Sequence, residues 1–155
     1  MICKNLKELE KELYKRINIA LDTDVADTVK DAMFNHIVSD VYDTYTPKMY
    51  QRRFDKGGLI DMRNIVATME NDGELLVQNV TLGNPYYYDP NLNKVAVSVN
   101  SNQFISPVIE HGTGYDVVQI FPRPFVQNTC NDLEQNHYHT EALKRSLKKQ
   151  GLEVK

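Results

Sequence analysis

The hydrophobic pattern of this chain changes its period between residues 45 and 60, and that change limits the folds open to it. Before residue 45 apolar residues recur three or four positions apart, which is the spacing of one face of an α-helix. After residue 60 apolar and polar residues alternate, which is the period of a β-strand. The sequence therefore predicts a helical region over residues 1–44, a joint over 45–60 and a sheet that begins near residue 61.

Two helices are predicted in the helical region. The first spans residues 4–21, and its apolar face consists of Leu6, Leu9, Leu13, Ile17 and Leu21. The second spans residues 25–42, and its apolar stripe consists of Val25, Val29, Met33, Ile37 and Val41. Between them, Asp22-Thr23-Asp24 carries short polar side chains that are typical of a helix start, so we expect a break there.

The joint combines turn residues with cations and aromatic rings. Pro47 ends the helical region, and Gly57-Gly58 indicates a turn. Its charged and aromatic side chains are Lys48, Arg52, Arg53, Lys56, Tyr45, Tyr50 and Phe54. Such a mixture can contact nucleic-acid phosphates and bases, or an acidic patch on a protein partner.

The second helix and its approach are strongly acidic. They hold six aspartates against one lysine, and the aspartates are Asp22, Asp24, Asp27, Asp31, Asp40 and Asp43. In a self-complementary assembly, the basic joint of one copy could lie against the acidic helix of another. The alternative is that the two are unrelated surface patches.

A β-hairpin is predicted after the joint. Asn71-Asp72-Gly73 is a strong turn signal, which joins strands over residues 61–70 and 74–82. A long loop-rich segment follows over residues 83–105, with three consecutive tyrosines and a short β-type run at 95–99. A loop of this length in a compact domain is usually functional or mobile.

The last third of the chain returns to a helical pattern. A strand is predicted over residues 116–121, and Pro124 suits the first position of a helix that runs to about residue 135. A second helical segment covers the tail from 137 to 150. The organisation is therefore a β-sheet region over 61–121 and a helical region over 122–150.

Composition and charge narrow the class of protein. The chain has 155 residues and a mass of 17.9 kDa, which fits a single domain over residues 1–155. Its formal net charge is −3, whereas general nucleic-acid binders carry a positive excess. Cys3 and Cys130 make no disulfide framework and fit a reducing compartment. We find no secretory signal and no apolar run of membrane-spanning length, so we expect a cytosolic-type protein.

No segment carries a strong catalytic or metal-binding motif. Glu110-His111-Gly112-Thr113-Gly114 is the most enzyme-like cluster, but it has neither the Walker nor the Rossmann spacing and fits a tight glycine turn. His137-Tyr138-His139 with Glu141 lacks further ligands at zinc spacing. We therefore expect no catalytic, cofactor-binding or metal-binding residues, and no cofactor.

Three segments, taken in order, carry a resemblance. The first motif block is YTPKMYQRRFDKGGLID at residues 45–61, the second is VIEHGTG at 108–114, and the third is FPRPF at 121–125, which opens a helix. Together they resemble the tail-completion, or head–tail joining, proteins of long-tailed double-stranded DNA bacteriophages, over about residues 25–135. The chain departs from that family at His111, where a basic residue is common at or soon after this position, and in the length of segment 83–105.

The resemblance implies an α+β fold, in which a small curved antiparallel β-sheet carries the N-terminal helices and a C-terminal helix, and it implies no enzymatic activity. It implies a structural protein of the virion neck. Subunits of that family form a homo-oligomeric ring, often a hexamer, that joins the connector of the DNA-filled head to the tail. The implied partners are head connector or portal-side proteins and the tail tube or tail terminator. Double-stranded DNA would pass through the lumen without specific binding, no membrane is involved, and assembly takes place in the host cytoplasm.

Under this interpretation three segments supply the contacts between subunits, namely the joint, segment 83–105 and the corner at 123–125. The expected interface residues are Tyr45, Tyr50, Arg52, Arg53, Tyr86, Tyr87, Tyr88, Glu110, Arg123 and Phe125. Three alternatives stay open. They are another layer of the same assembly (a tail terminator or a head-connector adaptor), a small hydrolase that uses Glu110 and His111, and a nucleic-acid-binding module that uses the basic joint.

Overall fold

The structure is a computed structural model that describes residues 5–44, 46, 52–83, 86–89, 94–97, 103–114 and 119–154. At residues 86–89, 94–97, 113–114 and 119–120 it describes the backbone alone. Tyr45, Tyr50 and the rest of segment 47–51 therefore lie outside the described residues, as does most of the predicted strand over 116–121.

The N-terminal region is one uninterrupted helical segment. Helix α1 (Leu6–Ala20) passes through a π-helical turn (Leu21–Val25) into helix α2 (Ala26–His36), and a second π-helical turn (Ile37–Tyr42) ends the segment. The side chain of Asn5 caps its start by accepting a hydrogen bond from the Glu8 backbone N–H at 2.9 Å. The break expected at Asp22-Thr23-Asp24 is absent.

Local hydrogen bonds explain why the polar run continues the helix. The Thr23 hydroxyl donates to the Ile19 carbonyl at 2.6 Å, and the Thr28 hydroxyl donates to the Asp24 carbonyl at 2.7 Å. These hydroxyls bond to the preceding helical turn and cap no new start. A π-helical turn contains one residue more than an α-helical turn, and the backbone stays helical through it.

The strands form three antiparallel pairs, of which the first is the predicted hairpin. Their bounds are β1 (Ile65–Asn71) with β2 (Glu74–Asn79), β3 (Tyr86–Asp89) with β4 (Lys94–Val97), and β5 (Thr113–Gly114) with β6 (Gln119–Ile120). Gly73 has φ 82° in the turn between β1 and β2, as the Asp-Gly turn requires. Strand β1 begins four residues later than predicted, because residues 62–64 form a 3₁₀ turn that the Asp61 side chain caps.

Segment 83–105 contains a second hairpin within the predicted loop. Tyr86 pairs with Val97 and Asp89 pairs with Lys94 across β3 and β4. The segment is closed at its base by an isolated bridge between Leu82 and Phe104, and by a hydrogen bond from the Gly83 N–H to the Gln103 carbonyl at 3.0 Å.

Three helices complete the fold. Helix α3 (Ser106–His111) occupies part of the segment that the sequence predicts as a glycine turn, and Gly112 ends it with φ 70°. Helix α4 (Phe125–Asn136) and helix α5 (Tyr138–Lys149) are joined at His137, which adopts a left-handed conformation with φ 56°. None of the described helices combines the length and the apolar composition needed to cross a membrane.

The residues group into two compact units, and the first contains residues 1–32, 67–77 and 131–155. Its core includes Ala20, Val25 and Ala142, all buried, where α5 packs on α1 and the first π-helical turn. The side chain of Asn18 fixes the hairpin tip, since its oxygen accepts from the Gly73 N–H at 2.8 Å and its amide donates to Asp72 at 2.9 Å.

The second unit contains residues 33–66 and 78–130. Its apolar core includes Ile37, Ile65 and Phe125, which are almost completely buried. Polar side chains are buried beside them at Asp61, Asn79, Thr81 and Thr129. Buried polar groups must be hydrogen-bonded to be tolerated, and each of these four side chains forms a hydrogen bond within the chain.

The α+β class predicted for this chain is confirmed. Helices at both ends flank antiparallel strands in the middle, as predicted. Among the described residues the strands are divided into three two-stranded sheets.

Candidate functional site

The site that the sequence singles out lies in the second unit, and Asp61 organises its first part. This buried carboxylate accepts hydrogen bonds from the backbone N–H of Gly57 at 2.8 Å and of Arg63 at 3.1 Å. It also accepts from the Arg63 guanidinium at 2.9 and 2.6 Å. The Arg63 guanidinium, together with the two backbone donors, holds the pKa of the Asp61 carboxyl well below its usual range.

The two positions of the joint that hold glycine require it for different physical reasons. Gly57 has φ 83°, a left-handed conformation that side chains rarely adopt. A Cβ atom on Gly58 would lie 2.4 Å from the Phe54 carbonyl oxygen and 2.8 Å from the Phe54 nitrogen. The Gly58 N–H donates to that same carbonyl at 3.0 Å, so the backbone can close this turn only around a glycine.

Buried amides and hydroxyls connect this turn to the neighbouring elements. Asn79, at the end of β2, donates to the Leu59 carbonyl at 2.8 Å, and Thr81 donates to the Gly58 carbonyl at 3.2 Å. Ser106, at the start of α3, donates to the Asn79 carbonyl at 2.8 Å. The joint, the end of the first hairpin and α3 are thereby held in one hydrogen-bonded network.

The two arginines of the joint bond to backbone carbonyls of their own chain. Arg52 donates to the carbonyl oxygens of Tyr42 at 2.8 Å and Val41 at 3.3 Å, and its guanidinium lies 4.5 Å from the centre of the Tyr42 ring. It therefore caps the negative C-terminal end of the N-terminal helical segment. Arg53 donates to the Leu82 carbonyl and is exposed. The Phe54 ring lies 5.4 Å from the Tyr42 ring.

The second and third motif blocks meet at the start of α4. The Glu110 carboxylate accepts hydrogen bonds from the Val126 N–H at 2.9 Å and the Gln127 N–H at 3.0 Å. The Arg123 N–H donates to the Ile109 carbonyl at 2.9 Å. Helix α4 begins after a proline, so its own sequence offers no capping side chain there, and Glu110 of α3 supplies the cap.

A polar cluster around Asp40 was not predicted from the sequence. Its carboxylate accepts from Ser39 at 2.7 Å and from Asn128 of α4 at 2.9 Å, and lies 3.0 Å from the Nδ1 atom of His36. Burial raises the pKa of Asp40, but the hydrogen bonds from Asn128, Ser39 and His36 outweigh burial and lower it. Ser39 and His36 are neighbours of Asp40 on its own helical segment, whereas Asn128 lies 88 residues away along the chain, so no local signal could have joined Asn128 to this cluster.

The residues predicted to contact neighbouring subunits differ in their burial and in their hydrogen bonds. Arg52 and Glu110 are hydrogen-bonded within the chain, and Arg123 is half-buried. Phe125 is fully buried, so its side chain belongs to the core of the second unit and offers no surface, which corrects its assignment as a contact residue. Tyr86, Tyr87 and Tyr88 form strand β3, of which only the backbone is described.

Two of the six aspartates on and before the second predicted helix form hydrogen bonds or ion pairs within their own chain. Asp24 pairs with Lys149 at 2.8 Å, and the Lys149 hydrogen bond lowers the pKa of the Asp24 carboxyl. Asp40 belongs to the cluster described above. The other four aspartates, Asp22, Asp27, Asp31 and Asp43, are exposed.

In the described part of the second motif block, the acid is used to hold the structure together. Glu110 is engaged by two backbone donors, and His111 beside it is exposed. Among the described residues, no three His, Cys, Asp or Glu side chains are placed to hold a metal ion. The fold and the site define a small α+β protein in which the described motif residues Arg52, Asp61 and Glu110 connect elements of their own chain.

Comparison with known proteins identifies the family. Residues 5–149 match the model of the YomN family. The SPbeta prophage-derived uncharacterized protein YomN of Bacillus subtilis (strain 168) is 32% identical to this chain over 125 residues, which cover 77% of this chain and 73% of that protein. The chain belongs to the YomN family. No solved structure matches it significantly. The prophage origin of the relative agrees with the bacteriophage part of the resemblance, and its name assigns no neck or tail-completion role.

Proposed function

We propose that this chain is a structural subunit of the bacteriophage neck. In this role it assembles into a homo-oligomeric ring, a hexamer, that joins the connector of the DNA-filled head to the tail. The genome passes through the lumen without specific binding. The protein works in the virion after assembly in the host cytoplasm, and it carries no enzymatic activity.

The observation that carries the proposal is the role of Glu110. A catalytic carboxylate must reach a substrate, whereas both oxygens of Glu110 accept backbone N–H groups of α4. The second motif block therefore positions the third. In the same way, Arg52 of the first block closes the end of the N-terminal helical segment. Residues used in this way suit a subunit whose function is its shape, and the prophage origin of its relative supports a phage context.

The hydrolase alternative is weaker for the same reason. Among the side chains that the structure describes, none with an acid or hydroxyl group is hydrogen-bonded to His111, so they form no nucleophile–base pair of the kind that hydrolysis uses. The nucleic-acid alternative loses Arg52 as a phosphate-binding cation, because its guanidinium is directed at helix carbonyls and a tyrosine ring, whereas Arg53 and Lys56 of the joint are exposed.

The test of this proposal is assembly. Native mass spectrometry and negative-stain microscopy of the purified chain, alone and with the head connector and tail tube proteins of the same phage, should show a ring. Deletion of the gene should leave DNA-filled heads and separate tails, and antibody labelling should mark the junction of head and tail. A chain that stays monomeric with both partners present would overturn the proposal.

The same experiment separates the layers of the neck. A tail-completion protein binds the head connector on one face and the tail on the other, whereas a head-connector adaptor should remain on isolated heads and a tail terminator on isolated tails. Co-sedimentation of the purified chain with heads or tails from the deletion strain therefore distinguishes the three.

A further inference from the structure

The first two turns of α1 carry an apolar stripe of exposed leucines. Leu6, Leu9 and Leu13 are 84%, 47% and 43% exposed. Further along the same helix the face becomes packed, since Ile17 is half-buried and Ala20 fully buried where α5 lies against α1. The sequence predicts one continuous apolar face, and its C-terminal half is packed while its N-terminal half is exposed.

This stripe has the spacing of a helix–helix contact. Leu6, Leu9 and Leu13 occupy the a, d and a positions of a heptad, and Glu10 and Glu12 then occupy the flanking e and g positions. Glu12 is paired with Arg16 of the same helix at 3.2 Å, so Glu10 is the flanking charge that a partner would meet. Antiparallel pairing of this helix with a second copy of itself would place Glu10 against Glu10, and parallel pairing would place Glu10 against Asn5, so neither arrangement supplies a cation. The charge pattern therefore calls for an apolar partner surface with a basic rim.

Such a surface is present in the second unit, on the turn that Asp61 organises. We define the basic-apolar patch as Arg53, Phe54, Lys56 and Met62. Phe54 and Met62 are 47% and 42% exposed, and Arg53 and Lys56 are exposed. Among the described residues neither cation forms an ion pair with a carboxylate. The hydrogen bonds of Asp61 and Arg63 fix the backbone of this turn, so the patch is preorganised for binding.

We propose that the leucine stripe on α1 of one copy docks on the basic-apolar patch of a second copy. The leucines cover Phe54 and Met62, and Glu10 lies beside the basic rim. Two different surfaces meet, so the contact is head-to-tail, and repetition with a closing rotation gives a ring. This inference rests on the proposed ring function and names the surfaces that close the ring.

Site-specific cross-linking tests the contact. In a chain with Cys3→Ser and Cys130→Ser, one protein carries Leu9→Cys and another carries Met62→Cys. Mixing the two under mild oxidation should give a disulfide-linked heterodimer within the ring. Replacing Met62→Cys by Glu134→Cys, on the exposed face of α4, is the matched control and should give none. Equal cross-linking of both pairs would overturn the proposal.

Two matched triple variants test the apolar part. Leu6→Gln/Leu9→Gln/Leu13→Gln keeps helix-forming residues on α1 but removes the stripe. The dissociation constant for self-association should rise at least about tenfold, because buried apolar anchors dominate interfaces. Lys7→Gln/Lys11→Gln/Lys15→Gln changes three exposed residues away from the stripe and should leave assembly within about threefold. Circular dichroism checks that both variants keep the helical content of the parent.

Charge exchange tests the rim. Glu10→Lys or Lys56→Glu alone should weaken self-association several-fold, and the two together in one chain should restore it. A double variant no better than either single change would overturn the docking. The outcomes also separate this inference from the proposed function. A ring that survives the leucine variant without Leu9–Met62 cross-linking refutes only the docking, whereas a wild-type chain that never assembles refutes the ring as well.

Discussion

Glu110 and Val126 are joined by a hydrogen bond of 2.9 Å from the Val126 N–H to the Glu110 carboxylate, which ties the last turn of α3 to the first turn of α4. The second carboxylate oxygen accepts from Gln127. The first N–H groups of α4 have no acceptor within the helix, and the positive end of the helix dipole lies there. A carboxylate at this position accepts hydrogen bonds from those groups and interacts favourably with the dipole. Two segments that a sequence presents as separate motifs thus act as one capping arrangement.

The first prediction concerns this cap. Glu110→Ala removes both acceptors from the start of α4 and should lower the free energy of unfolding by about 1–2 kcal/mol, the usual cost of a lost helix cap. Urea unfolding followed by circular dichroism measures the change. Glu134→Ala, on an exposed part of the same helix, is the control and should cost less than about 0.5 kcal/mol. Equal stabilities of the two variants would contradict the capping role.

The second prediction concerns Asp61 and pH. Hydrogen bonding to Arg63 depresses the pKa of Asp61 in the folded state below its ordinary value of 3.8. The folded chain therefore binds fewer protons at this site than the unfolded chain, and its contribution to stability is present above about pH 4 and lost as the pH falls further. The urea midpoint of the wild type should therefore drop between about pH 5 and about pH 2.5.

Substitution isolates the contribution of Asp61 to that drop. Asp61→Asn should lower the urea midpoint at neutral pH and should reduce its further fall in acid. Asp55→Asn, six residues earlier and exposed, should behave like the wild type in both respects. If Asp61→Asn shows the full wild-type dependence on pH, the acid sensitivity comes from other carboxylates, such as Asp40.

The third prediction separates the two glycines of the joint. Gly57→Ala meets no atom within 4 Å and is penalised only by its φ of 83°, so it should cost about 1–2 kcal/mol. Gly58→Ala would press its Cβ against backbone atoms of Phe54 and should cost more than Gly57→Ala. Thermal unfolding of the two variants gives the order. Gly151→Ala, with φ 81° and open space, is the control for Gly57→Ala.

The elements that the sequence predicts well are those with local causes. The hairpin around Gly73 follows from a two-residue turn that needs a left-handed glycine, and the start of α4 follows from a proline that suits a first turn. The prediction of a break at residues 22–24 was wrong, because short polar side chains cap a helix only when the backbone leaves the helical conformation. Here Thr23 bonds back to Ile19 instead.

One signal for the π-helical turns was present in the sequence. The stripe Val25, Val29, Met33, Ile37 and Val41 advances by four residues at every step, which is more than the 3.6 residues of an α-helical turn. A face with that spacing drifts around an α-helix, and wider turns reduce the drift. Both ends of this stripe lie in π-helical turns, with Val25, Ile37 and Val41 buried.

The partners of the site residues could not be predicted, because they come from distant parts of the chain. Glu110 meets residues 16 and 17 positions away, and Asp40 meets Asn128 across 88 positions. A single sequence gives residue types and their spacing, and neither shows which distant residues come into contact in the folded chain. The residue types of the joint indicated an interface or a nucleic-acid site, whereas its arginines are directed at carbonyls that exist only once the chain has folded.

The last prediction uses Arg52 to separate a structural role from nucleic-acid binding. Arg52→Ala removes two hydrogen bonds and a stacking contact at the end of the helical segment, and should lower the free energy of unfolding by about 1–2 kcal/mol. Arg52→Lys should rescue only part of that loss, because an ammonium cannot donate to both carbonyls and stack on Tyr42 in one geometry. If Arg52 instead bound phosphate, Arg52→Ala/Arg53→Ala would leave stability unchanged and would weaken DNA binding with a smaller salt slope. We expect the opposite on both counts in urea unfolding and in DNA titrations at several salt concentrations.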